Sequence, residues 1–171
     1  GADALRIALI SSASPDKNIS WDEKIVWGSY KFLNKIYEYF SEIKFENPEK
    51  KAESKLNKTI KEIKFDVENF KHNLAIIKIR ALFEYLQDKK IDKKTAEKFL
   101  VMLSIYCPYI EEELWEKIGN KPFISLAEWP KADESKIDEK LEEQERILES
   151  TITDITNIAK IIKEKENRGI D

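Results

Sequence analysis

Three features of the 171-residue chain predict an all-α fold. Gly and Pro are scarce, at 4 and 5, so few breakers interrupt regular structure. Apolar residues recur at spacings of three and four, the period of a helix, along most of the length. Charged residues reach 37% against about 25% in an average globular chain, and the excess is Lys and Glu, both good helix formers. A chain of this size can bury one substantial core. No apolar run approaches the roughly 20 residues that cross a bilayer, and no secretory signal is visible. The lone Cys107 excludes an internal disulfide and suits a reducing compartment. A cytoplasmic, monomeric chain with no membrane segment is expected.

The elements follow in order. Asp3 is placed to cap a short first helix with Leu5, Leu9 and Ile10 along one side. After a loop over residues 11–21, a second helix should span residues 22–43. Val26, Tyr30, Leu33, Tyr37 and Phe40 form one stripe on it, and Ile25, Phe32, Ile36, Tyr39 and Ile43 form another, so it must meet more than one neighbour. Lys24, Lys31 and Lys35 occupy the polar face that is left. Residues 45–49, with Pro48, read as a turn. A third helix over residues 49–63 points Leu56, Ile60 and Ile63 inward. Asp66 is placed to cap a fourth, whose period makes Phe70, Leu74, Ile77 and Ala81 core. On it Lys71 and Lys78 share one side, and Arg80 shares a side with Asn73 and Glu84. Asp92 caps a fifth helix over residues 93–106.

Pro108 ends the fifth helix, because proline lacks a backbone donor and clashes with the preceding turn, and it opens a sixth. Ile110, Leu114 and Ile118 lie on one face of the sixth helix with Trp115 beside them. Glu111, Glu112, Glu113 and Glu116 fill the early turns, where the helix dipole favours acids, and Gly119 fits a left-handed C-cap. A loop through Trp129-Pro130 leads to a long last helix capped by Ser135 or Asp138. Its stripe, Leu141, Leu148, Ile152, Ile155, Ala159 and Ile162, approaches a heptad seam and reads as a helix laid along the bundle. Asn167-Arg168-Gly169 should break it. Trp21, Trp27, Trp115 and Trp129 all sit in apolar contexts and are expected to be packed.

Pro108-Tyr109-Ile110, Glu113-Leu114-Trp115, Gly119 and Trp129-Pro130 have a distinctive order and spacing. In these the chain resembles the anticodon-binding-type helical domain of class I aminoacyl-tRNA synthetases of the leucine/isoleucine/valine group. Tyr109 stands where that family usually has His, and Glu111 where it usually has a small residue. Gly1-Ala2-Asp3-Ala4-Leu5-Arg6 resembles the family segment after the catalytic domain's Lys-Met-Ser-Lys-Ser-type loop. Residues 70–76 resemble the family's Phe-Asn-Thr-Ala-Ile core helix at Asn73, Ala75 and Ile76, with His72 and Leu74 departing from it. With no initiator Met, the chain is expected to begin mid-protein. The resemblance implies an antiparallel helix bundle in three parts. Residues 1–21 would be a stem-contact segment following a missing catalytic domain, residues 22–130 the helical domain, and residues 131–171 a C-terminal helix leading towards a missing C-terminal domain. The acidic last helix, with no strand signal after Trp129-Pro130, resembles archaeal-type leucyl enzymes; isoleucyl and valyl enzymes are the alternatives.

No catalytic residue and no metal ligand is expected in the chain. It has no His-Ile-Gly-His-type signature, no Lys-Met-Ser-Lys-Ser-type signature and no Gly-rich phosphate loop. One Cys and one His cannot build a structural zinc site, and a di-iron bundle would need Glu-x-x-His pairs. His72 reads as a surface or interhelical residue, and Ser104 and Cys107 lack triad partners. What remains is binding. The net charge is only −3, but residues 31–98 hold 17 Lys or Arg against 12 Asp or Glu, while residues 111–171 hold 10 against 17. A basic middle suits a phosphate-facing side, with Lys24, Lys31, Lys35, Lys71, Lys78 and Arg80 as the candidate tRNA-binding residues. The resemblance implies that such a domain braces the body of a leucine-accepting tRNA without reading the anticodon. The resemblance further implies a parent enzyme of the leucine-tRNA ligase type, whose missing catalytic domain would attach leucine using ATP, and no cofactor is expected in the chain itself. The competing class is a helical protein-interaction module, motivated by the seam on the last helix and the acidic C-terminal third.

Overall fold

The computed structural model describes residues 1–168 except Pro15 and Ile19; at residues 142, 145, 149, 161 and 163–168 only the backbone is described. The helices are α1 (Ala2–Ser12), α2 (Glu23–Glu42), α3 (Lys50–Glu68), α4 (His72–Leu86), α5 (Lys93–Ser104), α6 (Pro108–Lys117) and α7 (Glu139–Arg168), with short 3-10 turns at Ile124–Leu126 and Glu134–Lys136. Among the described residues there is no strand. The chain divides into two compact units, Gly1–Ile137 and Asp138–Asp171.

The caps form where the side-chain chemistry demands them. Asp22 accepts from the Lys24 N–H at 2.8 Å, Asp92 from the Thr95 N–H at 2.8 Å and Asp138 from the Lys140 N–H at 3.0 Å. Each satisfies a donor that its helix cannot. Pro108 is the first residue of α6. Past its end Gly119 takes φ +84°, which lets the Asn120 N–H return to the Trp115 carbonyl at 3.0 Å.

In the first unit α5 is buried all round over its second half: Phe99, Leu100, Val101, Met102 and Leu103 are all core. It packs against α3, α4, α6 and the turn at Ile124–Leu126. Beside it lies an aromatic layer. Phe83 meets Phe32 at 5.8 Å, Tyr39 at 5.6 Å and Phe99 at 5.8 Å between ring centroids, and Phe40 stacks on Phe99 at 5.5 Å. Helices α3 and α4 form a hairpin, with Asp66 opposite Lys78 near the turn and Lys55 over the Tyr85 ring far from it. Helices α2 and α4 run in the same direction, as the successive pairs Ser29–Arg80, Phe32–Phe83 and Tyr39–Leu86 show.

Three local expectations are corrected. Helix α3 continues past Ile63 to Glu68, so Asp66 lies inside it and does not cap α4. Its buried carboxylate instead meets Lys78 at 2.6 Å. The reversal comes later, at Phe70, whose φ is +57°, and Lys71 N–H closes it on the Asp66 carbonyl at 2.8 Å. Helix α4 therefore starts at His72 and buries Ala75, Ile76, Ile79, Leu82, Phe83 and Leu86. Phe70, Leu74, Ile77 and Ala81, expected in the core, are exposed. Two apolar stripes compete on this helix, and the aromatic layer selects the one carrying Phe83. Helix α1 likewise buries Ala4, Ile7 and Ala8, while Leu5 and Leu9 are exposed. The two alanines allow the closest approach to its neighbours.

Asp3 does not cap its own helix, whose N-cap is Gly1. It is buried and accepts from the Ile110 N–H at 2.9 Å, capping α6 from α1. Nearby, Arg6 donates to the Tyr106 carbonyl at 3.1 Å. Glu111 is fully buried beside this junction, with the Cys107 thiol donating towards its Oε1 at 3.8 Å. Burial pushes the Glu111 carboxyl well above its ordinary value, and burial also raises the Cys107 thiol.

The second unit is α7. Leu148, Ile152, Ile155 and Ile162 of its stripe, and Ile158 with them, are exposed. The helix is described to Arg168; Gly169, expected to break it, lies outside the described residues.

The core and the junction can each be tested by stability. Phe83→Ala should destabilise the chain by about 3–5 kcal/mol, read from urea denaturation by far-UV circular dichroism. Glu111 binds a proton in the folded state that the unfolded chain releases above about 4.5. Its contribution is therefore fully present below that value and falls as pH rises towards the folded pKa, by at most about 1.4 kcal/mol per pH unit. Glu111→Gln, with no proton to hold, should raise the urea midpoint near neutrality, and the gain should vanish near pH 4.5.

Candidate nucleic-acid interface

The cationic face is built on α2 and α4. Lys24, Lys31 and Lys35 stand at spacings of seven and four along α2, so all three project on its solvent side. Lys24 and Lys31 are exposed, and among the described residues neither has a carboxylate partner. Lys35 differs. It bonds Glu84 of α4 at 2.9 Å and lies 5.9 Å from the Phe83 ring centre. That hydrogen bond, with the lysine charge, holds the Glu84 carboxyl below its ordinary value.

On α4, Lys78 is held by Asp66 at 2.6 Å, with Glu62 at 3.9 Å. This ties α4 back to α3. Arg80 stacks 4.3 Å over Phe32 and donates to the Ser29 hydroxyl at 3.2 Å. Burial lowers its pKa from the ordinary guanidinium value, yet a guanidinium stays charged at neutral pH. It has no carboxylate partner among the described residues, and one hydrogen bond leaves most of its five donors available. Lys71 is exposed at the N-cap of α4, 5.5 Å from the Phe65 ring centre.

The six candidates thus separate by their neighbours. Lys35 and Lys78 are neutralised by carboxylates within the bundle. Lys24, Lys31, Lys71 and Arg80 keep uncompensated charge, and Arg80 packs against Ser29 and Phe32 of α2. No sequence period distinguishes the two sets, because the partners Glu84 and Asp66 come from other turns and other helices.

Exposed aromatic residues are the feature that sequence reasoning missed. Trp115 and Trp129 pack partly buried against the core, as expected, but Trp21 is 60% and Trp27 62% exposed. Both border a groove of about 580 Å³ between α1 and the start of α2, floored by Ala4, Leu5 and Val26, with Tyr30 and Glu23 at its edge. Tyr30 meets Trp27 edge to face, with centroids 5.7 Å apart and planes at 87°. The missed signal was position: Trp27 lies three residues after Lys24 and four before Lys31, on the polar stripe.

His72 is interhelical, its Nδ1 3.1 Å from the Tyr106 hydroxyl. Burial pushes the Tyr106 hydroxyl up to about 12, so it stays protonated at neutral pH. Among the described residues no group of three or more His, Cys, Asp or Glu is placed to hold a metal ion. Nor is any described helix long and apolar enough to cross a membrane.

Residues 49–170 match the family model described as the anticodon-binding domain of tRNA ligase. A leucine–tRNA ligase of Borreliella burgdorferi (strain ZS7) is 34% identical over 99% of this chain and 21% of its own length. Another, of Mycoplasma mycoides subsp. mycoides SC, is 33% identical over 80% of this chain and 18% of its own. The chain thus spans about a fifth of the length of these relatives. A solved ternary complex of Agrobacterium radiobacter K84 LeuRS with tRNA and LeuAMS shares the fold, with a TM-score of 0.63 at 21% identity over 81% of this chain and 20% of that one. The family match takes in α7.

Proposed function

Because the chain belongs to the family of anticodon-binding domains of tRNA ligases, we propose that it is the tRNA-binding helical domain of a leucine–tRNA ligase. In this reading it braces the body of a leucine-accepting tRNA. The remaining four-fifths of the enzyme activates leucine with ATP and transfers it. The relatives named above are leucine ligases, which favours leucine over isoleucine or valine. A buried lone thiol, Cys107, suits the reducing cytoplasm where such an enzyme works.

The observation that carries the reading is the charge on α2 and α4 that the fold does not neutralise, at Lys24 and Lys31 on the solvent side of α2 and at Arg80 of α4. Phosphates neutralise such cations and release counterions. Contacts of this kind orient an RNA and read no sequence, as a domain that holds the tRNA body requires. Arg80 adds a planar fork suited to a phosphate, and its stacking on Phe32 holds that fork in place.

The test is salt-titrated binding of leucine tRNA to the full-length protein. The double change Lys24→Glu, Lys31→Glu should weaken binding about tenfold. It should also flatten the slope of log K against log salt by about 0.7–0.9 for each phosphate that the lysines no longer neutralise. Unchanged affinity and slope would remove this face from the interaction.

A further inference from the structure

We propose that Trp27 is a stacking platform for one unpaired base of the bound tRNA, with Lys24 and Lys31 taking the phosphates on either side of that nucleotide. The proposal rests on the tRNA-binding reading above and adds to it an interaction that phosphates do not supply.

The placement carries the argument. Lys24, Trp27 and Lys31 sit at i, i+3 and i+7 on α2, so successive members are neighbours about 5–6 Å apart at Cβ. The two lysines bracket the indole along about 10 Å of helix. Both lysines are exposed and have no carboxylate among the described residues, whereas Lys35, one turn on, is already paired with Glu84. The uncompensated charge is thus centred on the tryptophan. Trp27 is 62% exposed, and its edge-to-face contact with Tyr30 at 5.7 Å braces the ring without covering it. An indole that costs little to order and stays open on one side is what base stacking needs. Each stacked base is worth about 1–3 kcal/mol and needs no particular base identity.

The chemistry selects the occupant. A paired stem hides the faces of its bases inside the helical stack, so a tryptophan can cover only an unpaired or splayed base. An apolar protein surface could cover Trp27, but it would leave the two lysines that flank it along α2 without an anion. A nucleotide supplies both the π-face and the flanking negative charges. Glu23, at the edge of the same groove, is a carboxylate and so could accept from an exocyclic amino group, which gives the subsite a bias towards bases that carry one.

The experiment uses the full-length protein and leucine tRNA. Trp27→Ala should weaken binding about tenfold while leaving the salt slope unchanged, because stacking releases no counterions. Trp27→Phe keeps a ring and should restore most of the affinity. Addition of tRNA should quench tryptophan emission in the wild type by an amount that is missing in Trp27→Phe. If Trp27→Ala binds as the wild type does while the Lys24→Glu, Lys31→Glu variant is weakened, stacking is wrong and the phosphate face stands. If neither variant differs from wild type, both readings fall. If Trp27→Ala lowers the melting temperature and leaves tRNA affinity unchanged, the groove is covered by another part of the protein, and the proposal is overturned.

Discussion

Helix α5 has no polar face from Phe99 to Leu103, and the bundle is arranged to bury it. A helix that is apolar all round cannot stand at a surface. It needs partners on every side, and α3, α4, α6 and the turn at Ile124–Leu126 provide them. Phe99 also anchors the aromatic layer, so the burial of one short helix decides which faces of α2 and α4 turn inward. The second stripe of α4, Leu74, Ile77 and Ala81, is also apolar. It loses because only the stripe with Phe83 reaches Phe99, Phe32 and Tyr39.

That choice of phase shapes the outer surface. Turning Phe83 inward brings Arg80 over Phe32 and sets Glu84 beside Lys35. It also leaves Ile77 and Leu74 facing out. The cations of α2 and α4 then divide into those the fold consumes and those it leaves. Lys35 and Lys78 are consumed as ties between helices: the exposed Lys35–Glu84 pair contributes little stability, whereas Lys78 compensates the buried Asp66 carboxylate. Lys24, Lys31 and Arg80 are left, and the exposed indole of Trp27 lies among the lysines.

The junction of α1 with α6 shows the same economy. A proline at the start of α6 removes one of its orphan donors, and Asp3 of α1 accepts from another, the Ile110 N–H. Two segments more than a hundred residues apart are thereby held in one geometry. Tyr37 and Glu113 add a 2.6 Å bond between α2 and α6 close by. Glu112 of the same helix caps the loop instead, accepting from the Ile124 and Ser125 N–H groups at 2.8 and 3.1 Å. Three consecutive glutamates that look alike in sequence thus end in a buried site, a loop cap and an interhelical bond.

Local chemistry was legible in the sequence. The caps at Asp92 and Asp138, the proline start of α6 and the glycine turn at Gly119 each depend on a residue and its near neighbours, and each stands where expected. The order of helices and the family motifs are legible for the same reason. Tertiary structure alone decided which of two apolar stripes on α4 is core, that Asp3 serves another helix, and which lysines are free. Those outcomes depend on what lies across the space between helices, and residues 50 or 100 apart in the chain carry no periodic trace of one another. Trp27 belongs to the second group. Its spacing to Lys24 and Lys31 was always visible, but whether a tryptophan is buried or presented is settled only by whether a neighbouring helix covers it.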